Sequence, residues 1–238
     1  MKTPTADDPT CTERGEVFEA VEVLHLGAEA EVTAGRWLGL DAIRKQRRSR
    51  SWRHPDLDER LGRQRLLGEA RLLLRLHRAG LRVPALYDAD VERDVLIMER
   101  LHGRPLIDVL RDPSTPDVLA VMRAVGSEVR RLHAHAVTHG DLSTNNILVT
   151  PDGNVALIDF GLSTIEYDVE RFGIDLHVLD EVLGASHPDR QGAMESLLEG
   201  YLASDLAAAQ EGSGGTVPSA VDVVERLDVV RTRVRYHG

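Results

Sequence analysis

The stretch His139-Gly140-Asp141-Leu142-Ser143-Thr144-Asn145-Asn146 decides the fold predicted for this chain. A second acidic cluster, Asp159-Phe160-Gly161, begins 18 residues after Asp141. Apolar segments with Pro151-Asp152-Gly153-Asn154 between them separate the two clusters, and this pattern predicts a β-hairpin. Carboxylate and amide oxygens are the hard donors that Mg²⁺ prefers. The region therefore predicts two polar loops, one before and one after the hairpin, that carry oxygen donors of the kind that Mg²⁺ prefers.

A single lysine lies upstream of this region in a chain that otherwise uses arginine. Only Lys2 and Lys45 are lysines among the 29 basic residues. Lys45 ends the predicted strand Ala42-Ile43-Arg44-Lys45, and Glu69 follows on the next predicted helix. Because an ammonium is a compact point charge and a guanidinium is a broad fork, a lone lysine indicates a site that arginine does not fit.

Taken together, these motifs resemble those of protein kinases. Asp141 and Asn146 match the catalytic loop H-R-D-L-x-x-x-N, Asp159 matches D-F-G, and Lys45 matches the lysine of V-A-I-K. The resemblance implies that Asp141 orients the attacking oxygen and that Asn146 and Asp159 hold Mg²⁺ on ATP. Each motif alone has a simpler interpretation, as a helix cap, a turn or a strand exit, but all of them occur in the expected order.

The remaining pattern predicts a strand-rich first part and a helical second part, which is an α+β plan. Strands are predicted around a short turn at residues 27–31, and apolar residues at helical spacing predict a helix from Leu57 to Arg78. A further helix is expected to begin with Ser114 or Thr115 as its N-cap. Later helices are expected at Asp175–Leu183, Arg190–Ala208 and Val221–Arg235.

These elements predict a bilobal, kinase-like arrangement with a small β-rich N-lobe and a reduced helical C-lobe. We expect a flexible leader over residues 1–16 and an N-lobe over residues 17–98. A hinge is expected over residues 99–104, and a C-lobe with a basic C-terminal tail over residues 105–238.

Composition limits the classes of protein that the chain can belong to. Its 238 residues carry a net charge of −10, 42% are hydrophobic and 4% are aromatic, as expected for a globular protein with an aliphatic core. No apolar run is long enough to suggest a membrane span. Cys11 is the only cysteine, so we expect no intramolecular disulfide and a cytoplasmic location. Residues 44–82 contain 13 Lys and Arg against four Asp and Glu, a surplus of nine that predicts an anionic partner or a solvated helix face.

Kinase-like families with H-G-D, N and I-D-F-G motifs include small-molecule phosphotransferases, RIO kinases and the small atypical serine/threonine kinases of the KEOPS complex. The chain most resembles the last family over nearly its whole length after residue 17. The residues that carry this resemblance are Gly27-Ala28-Glu29-Ala30, Trp52-Arg53-His54-Pro55, Asp58-Glu59-Arg60-Leu61-Gly62, Glu69-Ala70-Arg71, Met98-Glu99, Asp175-Leu176-His177-Val178-Leu179 and the basic residues Arg226 to Arg233.

The resemblance implies a set of site residues and cofactors. ATP and Mg²⁺ are the implied cofactors, and His139 and Asp175 would support the catalytic loop. The implied nucleotide-binding residues are Gly27, Ala28, Glu29, Ala30, Val32, Lys45, Glu69, Met98 and Glu99.

The resemblance also implies a function and partners. The chain would be an ATP-dependent kinase or ATP hydrolase that supports synthesis of threonylcarbamoyl-adenosine on tRNA, docked on the universal synthase subunit and other KEOPS subunits. Arg231, Arg233 and Arg235 would contact the tRNA backbone. Gly140 replaces the arginine of ordinary kinases, and 13 residues separate Gly161 from Asp175 without an A-P-E motif. This leaves little room for a peptide-docking platform.

Two other interpretations remain open from the sequence. An aminoglycoside- or choline-type phosphotransferase shares the ATP chemistry. Such enzymes usually have a larger helical insertion that builds the acceptor pocket, whereas the corresponding segment here, residues 112–116, is short. A non-enzymatic scaffold stabilised by nucleotide would not need the full set of polar motifs. The pair His133 and His135 suggests zinc, but no third ligand accompanies it, so a structural role at a helix end is expected.

Overall fold

The computed structural model describes residues 17–27, 30–48, 54–205 and 216–235. The chain divides into two compact units. The first unit comprises Met1–Leu66 and Leu86–Arg100, and the second comprises Leu67–Ala85 and Leu101–Gly238. The predicted leader, Ala28, Glu29 and the side chain of Arg235 lie outside the described residues.

The first unit contains a five-stranded antiparallel sheet with the order β1-β2-β3-β5-β4. The two-residue turn Leu38-Gly39 joins β2 to β3, and its φ angles of 50° and 82° are those of the hairpin turn that matches strand twist. The strands are β1 (Phe18–Leu26), β2 (Ala30–Trp37), β3 (Leu40–Arg47), β4 (Leu86–Asp90) and β5 (Val95–Glu99).

The register of this sheet decides which side chains share a face. Phe18, Ala42 and Ile97 form a buried cluster on one face. Lys45 lies directly opposite Val32 on β2 and Leu96 on β5, and it therefore occupies the other face, because directly opposed residues of antiparallel strands point the same way.

Helix α1 spans Pro55–Arg78, which confirms the helix predicted from Leu57. Acidic residues lie in its first turn and basic residues in its last turn, where each charge stabilises the helix dipole. The helix stops at Gly80, which has a φ of +79° and donates its N–H to the carbonyl oxygen of His77.

The described residues of the second unit form five further helices, three short strands paired in the order β6-β8-β9, and a two-stranded ladder of β7 and β10. Helices α3 and α5 approach each other closely in this unit. The backbone carbonyl of Leu197 on α5 lies against Gly126 on α3, and that of Arg123 on α3 lies against Gly200 on α5. The elements are β6 (Arg104–Pro105), α2 (Leu106–Arg111), α3 (Val118–Ala134), β7 (Val137–Thr138), β8 (Ile147–Val149), β9 (Val155–Leu157), β10 (Thr164–Ile165), α4 (Val169–Ser186), α5 (Ala193–Ala203) and α6 (Ala220–Arg235).

The structure corrects two helix boundaries. Helix α3 begins after Asp117, whose carboxylate accepts from the N–H of Ala120, so the predicted caps Ser114 and Thr115 were wrong. Helix α4 begins at Val169, capped by Asp168, and not at Asp175. In both places an Asp is the N-cap. The cap of α3 lies later in the chain than predicted, and the cap of α4 lies earlier.

None of the helices within the described ranges combines the length and the apolar composition that crossing a membrane requires.

Candidate active site

The loop after β7 places Asp141 and Asn146 in direct contact. The Nδ2 atom of Asn146 donates to the Asp141 backbone carbonyl and to its Oδ2, each at 2.9 Å. The N–H of Asn146 also donates to the carbonyl of Ser143 at 3.0 Å, which closes a tight turn between them. Asp141 remains exposed, so its other carboxylate oxygen is accessible to an incoming hydroxyl or water.

Gly140 is required by the backbone of this loop. Its φ is +78°, a region that side chains disfavour. A Cβ built at this position would lie 2.3 Å from the carbonyl oxygen of Leu162. The structure thus gives a physical reason for glycine where ordinary kinases carry arginine, because the segment after Asp159 crosses directly over this residue.

A buried carboxylate holds the backbone N–H groups of His139 and Gly140. Asp175 Oδ2 accepts from the N–H of His139 at 2.6 Å, and its Oδ1 accepts from the N–H of Gly140 at 2.9 Å. Burial works against the charge of Asp175, but hydrogen bonds from His133 and the His139 N–H keep its pKa below the ordinary value. Asp175 therefore remains ionised and fixes the loop that carries Asp141.

His139 connects this loop to the second acidic cluster. Its side chain is fully buried, and its Nε2 lies 3.0 Å from the carbonyl oxygen of Ile158, so Nε2 carries the proton of this hydrogen bond. Its ring centroid lies 5.1 Å from that of Phe160, which is 1% exposed. The position of Asp159, between Ile158 and Phe160, is therefore set from both sides.

Asp159 has an unusual backbone conformation for a residue with a side chain. Its φ is +64°, and its Oδ1 accepts from the N–H of Gly161 at 3.3 Å. The N–H of Ile158 donates to the carbonyl of Asn146 at 3.0 Å, which brings the two proposed metal-binding residues to adjacent points of the backbone. Strained backbone of this kind is concentrated at functional sites.

The side chains present fit a magnesium–nucleotide complex. Asn146 uses its amide nitrogen toward Asp141, and its Oδ1 is left as a possible metal ligand. Asp159 adds a carboxylate. The described ranges contain no group of three or more His, Cys, Asp or Glu able to hold a metal. Mg²⁺ does not need such a group, since it binds through one or two protein oxygens together with phosphate and water.

Three of the nucleotide-binding residues predicted in the first unit, Val32, Lys45 and Met98, lie on one face of its sheet. Val32 and Lys45 are cross-strand partners, and Met98 is paired with Ile43, two residues before Lys45. Glu99 ends β5 and is paired with Ala42, so it lies on the other face. Gly27 donates its N–H to the carbonyl of Ala30 at 2.9 Å, next to the first residue of β2.

Glu69, the predicted partner of Lys45, lies on α1 in the second unit and is 5% exposed. A carboxylate at such a depth requires polar contacts, which Glu69 and Lys45 both have. The pairing of these two residues with each other stays a prediction.

Two arginines of α6, Arg231 and Arg233, are engaged within the chain. The Nε of Arg231 lies 2.7 Å from Asp180 Oδ2, and this hydrogen bond raises the pKa of Arg231. Arg233 binds Glu170 at 2.7 Å. The predicted phosphate contacts of Arg231 and Arg233 would therefore compete with ion pairs that attach α6 to α4.

A buried polar group behind the catalytic loop was not predicted from the sequence. His133 was expected to have a structural role at a helix end, and the structure places it at the core, with its Nε2 at 3.1 Å from Asp175 Oδ2 and its Nδ1 at 2.8 Å from the Tyr201 hydroxyl. The available signal was its position on the apolar face of α3, eight residues before Asp141.

Comparison with known proteins places this site in a family. The RIO domain profile matches residues 42–170, more than half of the chain. The EKC/KEOPS complex subunit Tp53rkb of Mus musculus is 34% identical over 235 residues, which cover 94% of this chain and 91% of the mouse protein. A probable bifunctional tRNA threonylcarbamoyladenosine biosynthesis protein of Methanothermobacter thermautotrophicus is 36% identical over 181 residues, which cover 76% of this chain and 33% of that longer protein.

A solved structure supports the same conclusion at the level of the fold. The Rio2 kinase of Chaetomium thermophilum, in its ADP/Mg²⁺-phosphoaspartate complex, matches 94% of this chain and 74% of its own with a TM-score of 0.61 at 14% identity. This likeness confirms the predicted α+β, kinase-like fold. The chain belongs to the RIO-domain family of atypical kinases and, within it, to the small kinases that are subunits of the KEOPS complex.

Proposed function

We propose that this protein is the ATP-dependent kinase or ATPase subunit of a KEOPS complex and supports threonylcarbamoyl-adenosine synthesis on tRNA. The observation that carries the proposal is the arrangement of Asp141, Asn146 and Asp159, joined by the bonds from Asn146 to Asp141 and from Ile158 to Asn146. Relatives named as KEOPS subunits and as threonylcarbamoyladenosine biosynthesis proteins supply the biological context.

Each polar residue has a distinct role in the proposed chemistry. Asp141 orients the attacking oxygen and accepts its proton, since the Asn146 amide leaves one carboxylate oxygen available. Asn146 and Asp159 hold Mg²⁺, which neutralises the charge that develops on the phosphates during transfer. Lys45 positions the phosphates, and Glu69 positions Lys45.

The short segment after Asp159 favours ATP hydrolysis, or transfer to a narrow set of acceptors, over peptide phosphorylation. Only residues 162–168 lie between Gly161 and the first residue of α4. Part of this segment is held against the catalytic loop, since Leu162 lies over Gly140 and Ser163 Oγ donates to the His139 carbonyl at 2.8 Å. A segment held in this way has little length left to bind a peptide.

The connection between α2 and α3 argues against a small-molecule phosphotransferase. Residues 112–117 join Arg111 to Val118 directly, and Asp112 at its start is engaged with Arg104 and Ser114. This connection adds no helices that would build an acceptor pocket.

The partners in this proposal are the universal synthase subunit, the other KEOPS subunits and tRNA, in the cytoplasm. Arg231 and Arg233 already form ion pairs with acidic residues. Exposed arginines of α1, such as Arg63 and Arg78, are therefore the better candidates to bind the tRNA backbone. A double variant Arg63→Glu and Arg78→Glu should weaken tRNA binding and reduce its salt dependence, with a slope lower by about two. Arg93→Glu, an exposed cation outside the basic stretch, is the control. Equal tRNA affinity and salt dependence in all three proteins would refute the contact.

The enzymatic part is tested by Mg²⁺-dependent ATP turnover, alone and with the other KEOPS subunits and tRNA. Asp141→Asn and Lys45→Met should each reduce turnover by at least about 100-fold. Asp189→Asn, which changes a carboxylate that is 75% exposed, should leave turnover unchanged. If Asp141→Asn and Lys45→Met turn over ATP and support tRNA modification as the wild type does, the proposed function is wrong.

A further inference from the structure

A chain of buried polar side chains runs from α5 to the catalytic loop. Tyr201 on α5, His133 on α3 and Asp175 on α4 are 0%, 0% and 3% exposed. Successive distances are 2.8 Å from the Tyr201 hydroxyl to His133 Nδ1 and 3.1 Å from His133 Nε2 to Asp175 Oδ2. Asp175 then accepts the N–H groups of His139 and Gly140. We refer to Tyr201, His133 and Asp175 as the loop relay.

With His133 neutral, one placement of protons satisfies every member of the loop relay. Asp175 is a carboxylate that already accepts two backbone N–H groups, so the contact with His133 requires a proton on Nε2. A neutral imidazole then presents a lone pair at Nδ1, and the Tyr201 hydroxyl must donate to it. Burial raises the pKa of Tyr201, and the hydroxyl therefore keeps its proton.

Two effects keep His133 neutral. Burial lowers the pKa of His133, against the attraction of Asp175, and the positive charge of Arg130 lowers it further. The Arg130 side chain is 1% exposed and its guanidinium lies 5.6 Å from the centre of the Tyr201 ring. Asp205, which forms an ion pair with Arg130, also accepts the N–H of Ala220 at the start of α6, and this holds the cation in place.

We propose that Tyr201 is a positioning residue for catalysis: by donating to His133 Nδ1 it fixes the orientation of the imidazole that holds Asp175 against the backbone of the catalytic loop. Loss of the Tyr201 hydroxyl leaves the buried lone pair of Nδ1 without a donor, and the ring is then free to turn away from Asp175. Asp175 is then held less firmly against His139 and Gly140, and the position of Asp141 is less well defined. This inference rests on the proposed ATP-dependent activity for its kinetic readout.

The kinetic test compares Tyr201→Phe with Ser127→Ala in the full chain. The Ser127 hydroxyl lies 2.8 Å from that of Ser204, so this control also loses one hydrogen bond between α3 and α5, outside the loop relay. Tyr201→Phe should lower kcat for ATP turnover about tenfold while KM for ATP changes little, since the nucleotide contacts are intact. Ser127→Ala should leave both constants unchanged. Equal kcat in Tyr201→Phe and Ser127→Ala would overturn the proposal.

A spectroscopic test does not depend on activity, and its first measurement uses the wild-type protein alone. In the wild-type protein with ¹⁵N-labelled histidine, the NMR signals of His133 should show a neutral ring with its proton on Nε2. Tyr201→Phe should keep this tautomer and move the signal of the unprotonated Nδ1 to that of a ring nitrogen that accepts no hydrogen bond. A wild-type His133 protonated on Nδ1, or an unchanged Nδ1 signal in Tyr201→Phe, would overturn the loop relay while the proposed function stood. Absent ATP turnover with the expected tautomer would instead reject the proposed function.

Discussion

Replacing Gly140 by alanine tests how the catalytic loop is held. The left-handed φ of +78° costs a residue with a side chain roughly 1–2 kcal/mol. The added Cβ would also lie 2.3 Å from the Leu162 carbonyl oxygen, and overpacking of this kind costs about 1–3 kcal/mol. We expect Gly140→Ala to lower the free energy of unfolding by about 2–5 kcal/mol.

Gly153 supplies a matched control for the backbone contribution. It has a φ of +80°, and no heavy atom lies within 4 Å of the Cβ that alanine would add. Gly153→Ala should therefore lower the free energy of unfolding by only about 1–2 kcal/mol. The difference between the two variants, measured by urea denaturation, isolates the contact between Gly140 and Leu162.

The same variant should reduce catalysis beyond its effect on stability. Removing the clash requires the loop or Leu162 to move by roughly 1 Å, because the added Cβ would lie well inside the van der Waals contact distance from the Leu162 carbonyl oxygen. Asp141 is the next residue, and displacements of this size can reduce rates about 100-fold. ATP turnover at a temperature where both variants are folded should be much lower in Gly140→Ala than in Gly153→Ala. Equal stability and equal turnover in the two variants would refute the explanation given for Gly140.

Two further predictions concern stability. Gly126→Ala places a Cβ 1.9 Å from the carbonyl oxygen of Leu197, and it should lower the free energy of unfolding by about 1–3 kcal/mol even after the gain in helix propensity. Gly184→Ala, in open space on α4, should raise it by up to about 1 kcal/mol, and thermal unfolding that ranks the two variants in the opposite order would contradict the α3–α5 packing. Burial lowers the pKa values of His133 and His187, so below about pH 6.5 these residues bind protons mainly in the unfolded chain. The free energy of unfolding should therefore decrease as the pH is lowered from 7 toward 5, and urea unfolding that shows a constant or increasing value over this range would contradict the burial of these residues.

Local patterns were sufficient to predict most of the elements and the family. The helix from Leu57 to Arg78 was predictable because its apolar residues recur at helical spacing and Gly80 follows it. The prediction of Asp141 and Asp159 as the principal acidic residues of the site came from their separation and from the hairpin between them. These features depend on residues close together in the chain, where spacing is informative.

Contacts between distant segments could not be predicted from spacing. Nothing in the sequence indicates that Leu162 lies over Gly140, or that Tyr201 reaches His133 across 68 residues of chain. The pairing of Arg231 with Asp180 likewise depends on how α6 packs against α4. From the sequence, Arg231 was predicted only as part of a basic tail. Tertiary packing decides whether a polar side chain binds a ligand or another part of the same chain.

The proposed function requires that Asn146 and Asp159 bind Mg²⁺ together with ATP. Calorimetric titration of the wild-type protein and Asp159→Asn with ATP, at saturating Mg²⁺ and with Mg²⁺ removed by chelation, tests this directly. We expect Mg²⁺ to strengthen ATP binding in the wild type, and we expect Asp159→Asn to lose at least about tenfold of this enhancement. Equal enhancement by Mg²⁺ in the two proteins, or none in the wild type, would show that these residues do not hold the metal.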